Sequence, residues 1–226
     1  MSCFGIRKMG NNKEITNVSK ATIGRLPAYL RYLKEKELAG ERTISSTAIA
    51  EDLKLNAVQV RKDLAEISTV AGKPKLGFEI ADLIADINRF LGYDNVTDAV
   101  LVGAGGLGHA LVGYGGFKNY GLNIVAAFDV SPDLIGKTIK GVPIFAASEI
   151  TRLVRRLNVL IGIIAVPKAA AQEVADALTA GGVRAIWNFA SAHLNLPDDI
   201  AVKNEDMAAS LAILSKRLAE ILNSEK

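Results

Sequence analysis

The sequence is poor in residues that staple, ligate or anchor. A single cysteine, Cys3, has no partner for a disulfide within the chain and excludes a multi-cysteine zinc site. No apolar run reaches membrane-spanning length; the longest, residues 159–166, has the length of a buried strand. The segment MSCFGIRKMGNNKEITN has no apolar stretch of about 7–15 residues behind its charges, so it does not read as a secretory signal. A soluble, cytoplasmic protein is expected. Excess charge is also scarce, at +3 over 226 residues, but it is unevenly divided. Residues 1–80 hold 14 Lys/Arg against 9 Asp/Glu, and residues 81–226 hold 13 against 15. A basic front on a near-neutral rear suggests a polyanion-binding module joined to something else.

Hydropathy patterning divides the chain at the same place. Residues 1–19 are polar and aperiodic and are expected to be a disordered tail. Leu26, Leu30 and Leu33 predict a helix from Lys20 to Ala39, stopped by Gly40. A short helix follows Ser45-Ser46, either of which can cap it, with Ile49, Ala50 and Leu53 inward. A third starts after Asn56 and runs to about Ile67, with Gln59 in capping-box position and Leu55 and Val60 placed as a hydrophobic staple. Two short helices around Lys54-Leu55-Asn56 fit a helix-turn-helix. Residues 71–78 read as a hairpin or wing, Ile80–Leu91 as an amphipathic helix, and Gly92–Asn95 as a domain boundary. Beyond it, apolar runs at 99–102, 124–128, 142–145, 159–166 and 185–189 alternate with helix-length segments, which predicts a parallel sheet. Asp206–Leu222 closes the chain as a helix with Met207, Leu211, Leu214, Leu218 and Ile221 on one stripe.

The strand at 99–102 runs directly into Gly103-Ala104-Gly105-Gly106-Leu107-Gly108, a G-x-G-x-x-G that opens a helix. Gly103 allows the tight turn, Gly105 lets backbone approach a pyrophosphate, and Gly108 lets the helix pack on the sheet. The free N–H groups and partial positive charge of the helix start suit phosphates. Asp129 ends the next strand 21 positions past Gly108, close to the roughly 20 of a ribose-binding carboxylate. A carboxylate there accepts from ribose hydroxyls and repels a 2′-phosphate, which favours NAD(H). Val166-Pro167 and Asn188-Phe189, at the ends of the fourth and fifth strands, are candidates to line the nicotinamide pocket.

The chain is not expected to be an enzyme. A dehydrogenase needs a proton donor or acceptor, normally on a substrate domain, and the Rossmann unit leaves no residues over for one. His109 and His193 read as surface residues, and Lys168 as a helix-start lysine. No metal-ligand spacing and no Ser/His/Asp grouping stands out. A small NAD-dependent oxidoreductase and a coenzyme A-binding module remain as alternatives.

On the third helix Ala57, Val60, Leu64 and Ile67 form the buried stripe, so at about 100° per residue Val58 and Lys62 point away, flanked by Gln59 and Arg61. Such a face suits a major groove: Val58 against a thymine methyl, Gln59 on adenine, Arg61 or Lys62 on guanine or phosphate. Lys73 and Lys75 in the wing could reach phosphates or a minor groove, and Ser46 a phosphate.

The order of these parts resembles the Rex family of redox-sensing transcriptional repressors over about residues 18–222. The carriers are Arg25–Arg31 (RLPAYLR), Val58–Leu64 (VQVRKDL), Gly103–Gly108 (GAGGLG), Ala126–Val130 (AAFDV), Val166-Pro167 and Asn188–Ala190 (NFA). The resemblance implies an α/β chain in four parts. Residues 1–19 are a tail, 20–92 a winged helix-turn-helix domain, 93–204 a Rossmann-type NAD(H)-binding domain, and 205–226 a domain-swapped dimerisation helix. It implies a homodimer that binds palindromic operator DNA when NAD⁺ dominates and releases it when NADH binds, with no metal and no membrane. It also implies that Arg31 pairs with Asp206 of the second copy, and that Tyr114 at the cofactor site competes for Asp206 once NADH is bound. The sequence departs from the family at the wing, where Pro74 takes the place of an arginine, and after Asn188–Ala190, where Ser191 takes the place of a proline.

Overall fold

The Ser19 hydroxyl accepts from the Thr22 N–H at 3.0 Å and caps helix α1 (Lys20–Leu38). The computed structural model describes residues 18–70, 72 and 77–224. Its two compact units divide between Asp94 and Asn95. Placing Ser19 in the N-terminal tail is thereby corrected, because an exposed helix start needs an acceptor for its free N–H groups.

In the front unit α1 buries Leu26, Tyr29, Leu30 and Leu33. It leads through β1 (Thr43–Ile44) to α2 (Ser46–Asp52) and α3 (Ala57–Ile67). Ser45, rather than Ser46, caps α2, with its Oγ accepting from the Ala48 N–H at 3.0 Å. Ile49 and Ala50 are buried as expected, and Leu53 only half so. Asn56 caps α3, accepting from the N–H groups of Val58 and Gln59. Val60, Leu64 and Ile67 are buried and Ala57 is half-buried. The strand β2 (Phe78–Glu79) pairs antiparallel with β1, giving the root of a wing. Gly77, at φ +79, passes so close to Ile44 that a Cβ would lie 2.2 Å from its carbonyl oxygen. Lys73 and Lys75 lie outside the described residues. Helix α4 (Ile80–Leu91) packs on α1, and Gly92 caps it at φ +72. Buried Asp86 on α4 holds the segment after α3, accepting from the Thr69 N–H at 2.7 Å and from Arg89 at 2.8 Å.

The rear unit alternates strands and helices: β3 (Thr97–Val102), α5 (Gly106–Gly113), β4 (Leu122–Asp129), β5 (Thr138–Ile139), β6 (Val142–Ala146), α6 (Ile150–Leu157), β7 (Ile161–Ile164), α7 (Ala171–Gly181), β8 (Ala185–Asn188) and β9 (Ala201–Asn204). The sheet order is β5-β6-β4-β3-β7-β8-β9, parallel throughout except for the β5–β6 pair. Its centre, β3 and β7, reads as continuous apolar sequence because both faces are covered, with Val100, Val102 and Ile164 packed on one side and Leu101 and Ile163 on the other. Two edge strands escaped the sequence reading. The first, β5, has two residues, and β9 is exposed along its whole length, so neither needs an apolar pattern. The run expected over 159–166 is a strand only over 161–164. The chain ends in α8 (Met207–Ser224), whose described side chains are all exposed. No helix among the described residues is long and apolar enough to cross a membrane.

Candidate functional site

In the rear unit the chain reverses direction just past the carboxyl end of β3. Gly103 turns at φ +99, and a Cβ there would lie 2.4 Å from the Ala165 carbonyl oxygen. At Gly108 a Cβ would lie 1.9 Å from the Gly103 oxygen, which is the closeness of helix to strand that a bare backbone permits. Gly105 and Gly106, by contrast, have open space where a Cβ would be. The protein itself makes no demand for glycine at those two positions; a group drawn up against the loop would.

Asp129, at the end of the neighbouring β4, faces this loop. Its Oδ2 accepts from the Ala104 N–H at 2.7 Å, and its Oδ1 from the Ser131 N–H at 2.8 Å. Each oxygen keeps a further lone pair, so ribose hydroxyls can still donate to it. Leu107 is partly exposed on the first turn of α5. His109 is exposed, with Nδ1 3.1 Å from the Ala104 oxygen, and His193 and Lys168 are exposed as expected.

Val166 and Phe189 follow β7 and β8 at the same carboxyl edge, packed against the cores on opposite faces of the sheet. The Cγ1 of Val166 lies 3.1 Å from the Gly103 Cβ position, and the Phe189 N–H donates to Ile164, the last residue of β7, at 2.9 Å. Pro167 is exposed beside Val166. Asn188 is fully buried and shapes the turn: its Nδ2 donates to Asn204 Oδ1 at 2.8 Å, and its Oδ1 accepts from the Ala190 N–H. Tyr114 is half exposed and begins a row of neighbouring rings. It lies 4.9 Å from Phe117, which lies 5.5 Å from Trp187, in turn 4.9 Å from Phe189. The Trp187 Nε1–H donates to Glu205 at 2.8 Å, one residue before Asp206. The sequence held no signal for this row, because its members come from two segments some 70 residues apart. Asp206 is exposed and caps α8, with Oδ1 accepting from the Ala209 N–H at 2.9 Å.

In the front unit α3 exposes Val58, Gln59, Arg61 and Lys62, with Val58 at 72%. An apolar side chain left so open on a basic helix face is what a base-reading helix presents. Two expectations are corrected. Gln59 does not close a capping box: its side chain runs forward to the buried Asp63, whose Oδ1 accepts from Nε2 at 2.8 Å, and not back to the Asn56 N–H. Ser46 is 8% exposed and is not the cap of α2, a role that Ser45 takes. Arg31 is exposed on α1.

Asp63 is the residue that the apolar stripe concealed. It is fully buried on α3 and accepts from Thr22 (3.2 Å), Arg25 Nε (2.7 Å) and Nη2 (2.8 Å), Tyr29 (2.8 Å) and Gln59. Burial works to raise its pKa, but the donors from Arg25, Gln59 and Tyr29 outweigh burial and hold the carboxyl below its ordinary range. Burial and the bond to Asp63 push the Tyr29 phenol up to about 12. The hydrogen bond to Asp63 raises the Arg25 guanidinium.

A winged helix with an open recognition helix and a Rossmann unit with a dinucleotide loop together define a nucleotide-sensing transcription regulator. Known proteins agree. Residues 17–65 match the model of a putative DNA-binding protein N-terminus, and residues 94–192 that of a CoA binding domain. The redox-sensing transcriptional repressor Rex of Bacteroides fragilis is 40% identical over 92% of this chain and 94% of its own. That of Desulforamulus reducens is 44% identical over 89% and 96%. The crystal structure of RSP, a Rex-family repressor, in complex with NAD⁺ and operator DNA is 35% identical over 93% of this chain and 96% of that one, with a TM-score of 0.85. For the RSP complex with NADH the values are 34%, 93%, 100% and 0.82. The chain belongs to the Rex family of redox-sensing transcriptional repressors, a family of regulators and not of enzymes.

Proposed function

We propose that this chain acts in the cytoplasm as a homodimeric repressor that holds palindromic operator DNA with NAD⁺ and lets it go when NADH binds. The observation that carries the reading is the Asp129–Ala104 closure of the glycine loop, in a chain whose other unit exposes Val58, Gln59, Arg61 and Lys62. The loop and Asp129 hold the adenosine half of the dinucleotide, and Val166, Pro167 and Phe189 receive the nicotinamide. A change in hydride state changes charge and shape only at the nicotinamide end. The joint that responds must therefore lie there. Tyr114, in the aromatic row with Phe189, and Asp206, next to the Glu205 that accepts from Trp187, support this reading.

In the DNA-holding state Arg31 pairs with Asp206 of the second copy; with NADH bound, Tyr114 takes that aspartate. Differential cofactor affinity for the two arrangements then supplies the whole switching free energy. Exchange of α8 between two copies covers the apolar stripe that one copy leaves exposed. An operator titration with each cofactor tests the reading: NADH abolishes binding and NAD⁺ does not. Binding retained at saturating NADH would overturn it.

The match to a CoA binding domain keeps coenzyme A as a second reading. Coenzyme A carries a phosphate on its adenosine ribose, where it would meet the Asp129 carboxylate at close range. That repulsion favours the unphosphorylated ribose of NAD(H).

A further inference from the structure

Arg25 stands on α1, outside the face expected to meet DNA, yet it lines an open surface recess with Leu55, Asn56, Val58, Gln59 and Lys62. Its side chain is 26% exposed. It grips Asp63 side-on through Nε and Nη2, and Nη1 takes no part in that pair. Nη2 also reaches Thr22 Oγ1 at 3.5 Å, so the guanidinium keeps Nη1, on its outer edge, for another acceptor. A free surface arginine loses rotamer entropy when a ligand orders it, whereas this one is ordered beforehand by a fully buried carboxylate that Tyr29 and Thr22 also hold.

We propose that Arg25 is a DNA contact supplied by α1, donating from its outer edge to a backbone phosphate beside the bases read by α3, with Asp63 as its positioning residue. The inference rests on the DNA-binding reading above. A phosphate is the acceptor of choice because Arg25 is three-quarters covered. A base edge lies on the groove floor and is reached only by a side chain that projects, as Val58 does; a phosphate projects toward the protein. Asp63 so placed ties the two kinds of contact together. The same carboxylate aims Arg25 and takes one amide hydrogen of Gln59, leaving the Gln59 carbonyl and its other hydrogen to a base.

The test uses the full chain with NAD⁺ and a duplex that this protein itself enriches from a randomised pool. Arg25→Lys keeps a cation against Asp63 but lacks the fork; Arg25→Gln also removes the charge. We expect each to bind about tenfold more weakly, by the same factor on every single-base-pair variant of the duplex. For Arg25→Gln the dependence of log affinity on log salt becomes shallower by about one. When phosphates are replaced one at a time by methylphosphonate, one of the positions per half-site that weaken wild-type binding costs the variants nothing further, while the other sensitive positions still weaken them. Thermal unfolding and NADH affinity of each variant establish that both units are intact. Unchanged affinity in an intact variant overturns the proposal, as does a loss confined to one base pair, which would make Arg25 a base reader. If wild-type protein enriches no duplex, the DNA-binding reading itself falls, and this inference with it.

Discussion

Asp129 Oδ2 accepts the Ala104 N–H at 2.7 Å, so the carboxylate that would hold a ribose also pins the loop that would hold the phosphates. The two functions can be separated. Asp129→Ala removes both and should weaken NADH binding by about 1–3 kcal/mol, the usual range for a lost charged hydrogen-bond partner. Asp129→Asn keeps an acceptor for Ala104 and should retain the loop while losing part of the affinity. Titration of NADH fluorescence measures both, and an unaltered affinity in Asp129→Ala would remove the ribose reading.

The glycines divide in the same way. Gly108→Ala drives a Cβ to 1.9 Å from the Gly103 carbonyl oxygen and should lower the unfolding temperature of the rear unit. Gly105→Ala meets open space and should leave the unfolding temperature nearly unchanged while abolishing dinucleotide binding. Calorimetry beside an NADH titration distinguishes them; equal melting losses in both would contradict the geometry.

The Asp63 network gives the front unit a two-sided pH dependence. Tyr29 and Tyr32 are raised from 10.0 to about 12, chiefly by burial and then by their bonds to Asp63 and Asp52. A raised pKa stabilises fully below the unfolded value, so this contribution is present up to pH 10 and is lost as pH climbs toward 12. Asp63 is lowered from 3.8, so its contribution is present above that value and is lost as pH falls below it. Tyr29→Phe should weaken the alkaline limb and, by leaving the buried carboxylate short of a donor, cost about 1–3 kcal/mol at neutral pH. Denaturant unfolding across pH reads both limbs.

Met207, Leu211, Leu214 and Leu218 of α8 are 54–75% exposed in a single copy. An apolar stripe of that length left in water favours association. Leu214→Asp with Leu218→Asp should yield a monomer by sedimentation and lose operator affinity, since one half-site then binds alone. A variant that remains dimeric would place the dimer interface elsewhere.

Arg61 faces outward on α3. Arg61→Ala should cost about 1–3 kcal/mol of operator affinity if it reads a base edge, with discrimination lost at that base pair alone. A uniform loss across sequences would make it a phosphate contact instead.

Local rules were enough for much of this molecule. The Asn56 cap, the Gly92 stop, the positive-φ turn at Gly103 and the apolar strands all follow from conformational limits and burial periods that act over a few residues. For that reason the order of the two units and the position of the dinucleotide loop could be read directly from the chain. Tertiary structure decided what lies between distant segments. The full burial of Asp63 contradicts its type, and only the convergence of Thr22, Arg25 and Tyr29 from α1, some 34–41 positions away in sequence, makes it tolerable. The same holds for Asp129 closing on Ala104, 25 positions away, and for the row of rings from Tyr114 to Phe189. A buried polar group is stable only with its partners in place, and no periodicity in the sequence records partners that the fold alone brings within reach.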